Sequence, residues 1–238
     1  MLPGWNVLED SPDTSDTRGH GTAVAGAAAA GFNSAQGLAG IAAGARIMPL
    51  KVTDEKGYTS VNAVVKAIHH AADHGARIVN VSFEFVGRHP AVLRAAQYLH
   101  ARGGLLVVPS GNKGVRQDYP DAPGLITVAA TNQSDAHPNW STHGSHVTVS
   151  APGQSLLLPD HKGQYGEVSG TSYASPLVAG VLALMMAADP TATPDELRTA
   201  LETSAQDLGE PGRDPLFGAG RVDAAAAVAA LKARRAAR

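Results

Sequence analysis

The sequence predicts a single α/β domain over residues 1–238, with a mostly parallel sheet flanked by helices. Short aliphatic runs alternate with Ala-rich segments of helical period, and most of the runs are apolar on both faces, as strands buried between helices are. Of the 238 residues, 44% are apolar and only 17% charged, against a usual charged share of about 25%. A large buried core follows.

Strands are expected at Trp5–Leu8, Arg46–Val52, Arg77–Ser82, Leu105–Pro109, Leu125–Ala129 and Val147–Ser150. Val61, Val64, Val65 and Ile68 form one helical stripe, and Val92, Leu93, Ala96 and Leu99 another. These helices stop near Gly75 and Gly103-Gly104, as C-terminal caps require. A long helix is expected from Ser172 to about Ala188, with Pro176 in its first turn, where backbone N–H groups lack intrahelical acceptors. Thr193-Pro-Asp-Glu196 reads as a capping box opening a helix to about Ser204. A final Ala-rich helix runs from Val222 to Arg235, its basic end complementing the helix dipole.

Nineteen basic and 21 acidic side chains leave a net charge of −2, and the only basic run is Lys232-Ala-Arg234-Arg235. A nucleic-acid or anionic-membrane partner is therefore not expected. Without cysteine there is no disulfide, thiol nucleophile or Cys-ligated zinc. No window reads as the roughly 18 apolar residues of a membrane span, and Met1–Trp5 has no basic or apolar leader character. The chain as written reads as soluble and without an export signal.

Three segments carry chemistry. In Gly19-His20-Gly21-Thr22, a histidine between glycines at the mouth of a small-residue helix suits a general base, and equally a surface histidine beside a cap. In Ser169-Gly-Thr-Ser172-Tyr-Ala-Ser-Pro176, Ser172 enters a helix whose N-terminal N–H groups stabilise an oxyanion; a plain N-cap is the other use of serine there. Ala174 replaces the last glycine of a Gly-x-Ser-x-Gly elbow, which removes the α/β-hydrolase reading. In Val107-Val-Pro-Ser-Gly111-Asn112, a strand runs into a turn whose asparagine either shapes the turn or donates to an oxyanion.

In this order the three segments closely resemble the subtilisin-like serine peptidases, the subtilases, over nearly all of residues 4–230. The resemblance implies a three-layer αβα subtilisin-like fold, with His20 as base, Ser172 as nucleophile, and Asn112 as oxyanion donor together with the Ser172 N–H. It also implies substrate contacts at Ser82, Phe83, Glu84 and Gly111, a polypeptide substrate, no required cofactor and, since secretion is common in the family, an extracellular setting. An inactive relative that binds peptides, or a Ser/His hydrolase of small esters, are the alternatives.

The family's third catalytic residue is an aspartate on a strand upstream of the segment resembling Gly4–Val7, and the chain as written begins after it. The resemblance thus implies weakened activity, by roughly 10⁴-fold in serine peptidases that lose this acid. It implies an interrupted sheet as well, and with it self-association by strand donation or poor stability. Asp10, Asp13 and Asp16 are the substitute acids to consider, against a simpler use as turn and cap residues. Glu84 stands where relatives carry glycine; selection of basic substrates, obstruction of the cleft and a solvent-facing side chain are all open. Calcium is a family trait whose loop resembles Gly31–Gly37, with Asn33 as an oxygen ligand. His70 and His74 have metal-ligand spacing on a helix but read as a solvated face.

Overall fold

The computed structural model describes residues 1–32, 39–84 and 86–236. Strand β4 (Leu105–Pro109) is buried along its whole length, and its side chains alternate between two cores. Leu105 and Val107 join Ile126, Val178, Leu182 and Leu197 on one side, while Leu106 and Val108 join Val64, Ile68, Val92 and Leu99 on the other. One sheet with a core on each face makes three layers.

The main sheet is fully parallel, in the order β3 (Ile78–Asn80), β4, β5 (Leu125–Thr131), β6 (Val149–Pro152). Helices α2 (Val61–Asp73) and α3 (Pro90–Ala101) cover one face; α4 (Thr171–Ala188), α5 (Pro194–Thr203) and α6 (Ala224–Ala236) cover the other. Helix α1 (His20–Ala29) lies along α4, and its small residues permit a close approach: a Cβ at Gly180 would sit 2.9 Å from the Ala28 carbonyl. Helices α2 and α3 end before Gly75 (φ 79°) and Gly103 (φ 83°), left-handed positions that suit glycine. The capping box is formed: the Thr193 hydroxyl accepts from the Glu196 N–H, and Glu196 accepts from the Thr193 N–H.

Several boundaries differ from expectation. Strand β6 starts two residues later than expected, and α6 begins at Ala224 because the Asp223 carboxylate caps it through the Ala226 N–H at 2.9 Å. Helix α4 starts at Thr171 with Gly170 as its N-cap, so Ser172 is not the cap and Pro176 is the sixth helical residue, beyond the first turn. Helix α4 is also long and apolar enough to cross a membrane by length and composition, contrary to the sequence reading; in the fold it packs against the sheet, with Ala174, Val178, Leu182 and Met185 in the core. The antiparallel hairpin of β7 (Leu156–Pro159) and β8 (Tyr165–Val168) was not anticipated. Its turn was legible, since the Asp160 carboxylate accepts from the N–H groups of Lys162 and Gln164, and Gly163 has φ 76°.

Strands β1 (Trp5–Asn6) and β2 (Leu50–Lys51) form a separate parallel pair. Trp5 and Val7 donate to Pro49 and Lys51, so Leu50 turns its backbone groups away from β1. On β3, Arg77 and Val81 bond to β4, which leaves the backbone of Ile78 and Asn80 facing away from β4. No ladder joins β2 to β3 among the described residues. A cavity of about 1210 Å³ reaches both edges and is lined by Leu50, Ile78, Asn80, Val64, Ala179 and Met186 among others. The buried Oδ1 of Asn80 has no hydrogen-bond partner among the described residues.

Candidate active site

The same cavity opens at the C-terminal ends of the strands, where open α/β sheets bind ligands. His20, Ser172, Asn112, Ser82, Phe83 and Glu84 all line it. Residues separated by up to 152 positions (His20 to Ser172) are thus brought into one cleft.

Asn112 follows β4 through Gly111, which has φ 118° and on which a Cβ would press against the Thr142 hydroxyl at 3.1 Å. Its side-chain Oδ1 accepts from both the N–H and the hydroxyl of Thr171, each at 2.9 Å. Thr171 in turn accepts from the Gly111 N–H at 3.2 Å. Two donors on one carboxamide oxygen fix which end of the amide is which, and the Nδ2 donor is left without an acceptor among the described residues.

Ser172 is the second residue of α4 and only 9% exposed. Its hydroxyl has a long contact, 3.5 Å, to the Ser82 carbonyl, and no hydrogen bond joins it to His20. Its own carbonyl accepts from the Ser82 hydroxyl at 2.8 Å, while Asn80 Nδ2 donates to that hydroxyl at 2.9 Å. Separations of this kind between a nucleophile and its base are common before substrate binds.

His20 is the first residue of α1, its ring 5.5 Å from that of Tyr173. It keeps an exposed edge in the open cleft, yet the surrounding protein desolvates the ring enough to lower its pKa, against the opposing charge of Asp16. A neutral imidazole near pH 7 is the form a general base requires.

None of the three considered carboxylates hydrogen-bonds to His20. Asp16 Oδ1 accepts from the N–H groups of Arg18 and Gly19, and Oδ2 from the N–H and hydroxyl of Thr22, all within 2.9 Å. Burial alone would raise its pKa, but these hydrogen bonds outweigh it and hold the carboxyl at about 2. Asp13 binds the N–H and hydroxyl of Ser15, and Asp10 is an exposed turn residue at φ 53°. Asp16 caps α1, the simpler of the two uses the sequence offered for it.

Phe83 packs against the core on the α2–α3 side, and Glu84 is exposed. The Glu84 side chain is engaged all the same: Oε1 accepts from the Asn112 backbone N–H at 2.8 Å. Sequence reasoning missed this contact and the anchoring role of Thr171, although Thr171 lies within the recognised motif.

Asn33 of the calcium-like loop lies outside the described residues. Among the described residues, no group of three or more histidine or acidic side chains is arranged to hold a metal ion. His70 and His74 stack at 4.0 Å, His70 also stacks on Trp5, and His74 Nδ1 donates to the His70 carbonyl.

The chain has relatives of known sequence and structure. The family model of the subtilases, peptidase S8, matches residues 2–220. Thermitase of Thermoactinomyces vulgaris is 34% identical over 230 residues, 96% of this chain and 81% of the relative. A thermophilic serine proteinase of Bacillus sp. strain AK1 is 33% identical over 96% of this chain, which spans only 56% of that relative. Among solved structures, MycP1 with its N-terminal propeptide removed superposes with a TM-score of 0.82 at 26% identity, covering 95% of this chain and 84% of that one. Fervidolysin from Fervidobacterium pennivorans, a keratinolytic enzyme related to subtilisin, superposes with a TM-score of 0.82 at 29% identity, covering 95% and 39%. The chain therefore belongs to the subtilase family, the subtilisin-like serine endopeptidases.

Proposed function

We propose that this chain hydrolyses peptide bonds through an acyl-enzyme on Ser172. The Ser172 hydroxyl attacks the scissile carbonyl carbon while His20 accepts its proton and passes it to the leaving amine. Water, deprotonated by His20, then cleaves the ester and returns the proton to Ser172. Asn112 Nδ2 and the Ser172 N–H, at the positive end of α4, hold the oxyanion of each tetrahedral intermediate. The observation that carries this reading is the double anchoring of Asn112 Oδ1 by Thr171, which leaves Nδ2 free in the cleft shared with His20 and Ser172. The chemistry requires no cofactor, and the substrate is polypeptide.

His20 has no carboxylate hydrogen-bonded to it among the described residues, so none fixes its tautomer, and the charge of Asp16, acting without a hydrogen bond, gives the imidazolium only partial support. Turnover is accordingly slow, lower by roughly 10⁴ than with such an acid. The unpaired edges of β2 and β3 favour association through added strands, including donation by a second copy. An extracellular setting is supported by relatives such as the minor extracellular protease Epr of Bacillus subtilis.

The test is hydrolysis of a chromogenic peptide and a short ester by the purified chain beside Ser172→Ala, with fluorophosphonate labelling of both. Peptide turnover and labelling that disappear in Ser172→Ala support the proposal. Ester turnover alone would make the chain a Ser/His esterase, and absence of labelling with retained peptide binding would make it an inactive relative.

A further inference from the structure

We infer that Glu84 directs the cleft toward substrates with a cationic side chain, lysine or arginine, next to the bond attacked by Ser172, and that the same carboxylate positions the oxyanion turn. The inference rests on the reading of Ser172 as nucleophile and goes beyond it to the substrate class.

Glu84 Oε1 accepts from the Asn112 N–H at 2.8 Å, so the carboxylate is tied to the backbone of the residue whose side chain awaits the oxyanion. Glu84 lines the cleft with His20 and Ser172, is exposed, and forms no ion pair among the described residues. The other carboxylates of the cavity wall are Asp16 and Asp54. Asp16 has both oxygens engaged by the cap of α1, and Asp54 Oδ1 serves its own turn through the N–H groups of Lys56 and Tyr58.

An unneutralised carboxylate this close to an oxyanion site has two opposed effects. It holds Asn112 in place, and its charge disfavours the negative charge that develops on the substrate oxygen. A cationic substrate side chain resolves the conflict, because it pairs with Glu84 and cancels the opposing field. Preference for lysine and arginine then appears in kcat as well as in KM.

Glu84→Gln separates the two roles, since a glutamine oxygen still accepts from Asn112 N–H but carries no charge; Glu84→Ala removes both. The chain and both variants are assayed on peptides that differ only in arginine or leucine at the residue before the scissile bond. The expected result is a preference for arginine of about tenfold or more in kcat/KM, reduced to near parity in Glu84→Gln, with Glu84→Ala further lowering kcat on both substrates. Binding of the same peptides to Ser172→Ala, with and without Glu84→Gln, is followed by calorimetry, so the preference is read even if turnover is absent. Equal handling of the two peptides by the unsubstituted chain, or binding of neither, would overturn the inference.

Discussion

The Ser82 hydroxyl donates to the Ser172 carbonyl at 2.8 Å, taking the acceptor that Pro176 leaves open in helix α4. In an α-helix that carbonyl bonds to the N–H four residues on, and proline has none. The segment that follows β3 thereby holds the first turn of the helix that carries the nucleophile. Ser82→Ala strands a carbonyl in the interior, so we expect a loss of about 1–3 kcal/mol in stability, measured by urea denaturation, and a lower kcat as Ser172 loses its restraint. An unchanged denaturation midpoint would show that water or Ser175 substitutes for the hydroxyl.

Asn112 and Thr171 supply the second prediction. Removing one oxyanion donor costs about 10²–10³ in kcat, so Asn112→Ala is expected to fall by that amount with little change in KM. Thr171→Val keeps the backbone N–H on Asn112 Oδ1 but removes the hydroxyl contact. Its effect on kcat should lie between those of the parent and Asn112→Ala, because the carboxamide becomes freer to turn. A Thr171→Val rate equal to the parent's would mean the backbone N–H alone orients the amide.

The third concerns pH and activity. Desolvation lowers the pKa of His20 below 6.5, and Asp16 opposes the shift. The acid limb of kcat/KM should therefore have its midpoint below that value, with the enzyme gaining activity as His20 deprotonates. In Asp16→Asn the opposing charge is gone, and the limb should move to still lower pH. A shift to higher pH in this variant would show that Asp16 acts on His20 through the cap rather than through its charge.

A fourth prediction concerns acid stability. His146 is buried, stacked on Tyr119, and donates from Nδ1 to the Gln117 carbonyl at 2.7 Å, while its Nε2 has no partner among the described residues. Burial lowers its pKa and that of His137, whose Nε2 is likewise unpartnered among the described residues. The unfolded chain then binds more protons than the native one as pH falls through the ordinary histidine range, near 6.5, so stability is lost on acidification below it. Replacement of His146 by glutamine should flatten the fall in Tm between about pH 6.5 and 5. An equally steep fall in the variant would assign the acid sensitivity to other groups. Asp16 adds a separate loss at lower pH, since its carboxyl, held at about 2, stabilises the fold above the usual value of 3.8 and ceases to do so as pH falls toward 2.

The unpaired edges of β2 and β3 predict concentration-dependent self-association. Light scattering after size exclusion should show mass above 24.3 kDa that rises with loading. A monomer at all loadings would mean that the edges are satisfied by water within the cavity.

What the sequence determined by itself is what short-range physics controls. The alternation of buried runs and Ala-rich helices disclosed the layers, the glycines at 75 and 103 marked helix ends, and Thr193–Glu196 announced its own capping box. The motifs around His20, Asn112 and Ser172 identified the three residues that the fold then brings to one cleft. The tertiary structure decided what each group touches. Thr171 and Asn112 lie 59 residues apart, and Ser82 and Ser172 lie 90 apart; no local pattern encodes either bond. Three uses of Glu84 stay open in sequence terms until β3 and β4 end side by side and set it against the Asn112 N–H. Pro176 read as a first-turn residue because proline is costly farther in, and only the hydroxyl from another layer explains its place. Local propensity depends on neighbours within about one helical turn, whereas a polar site is defined by partners that meet only after the chain has folded.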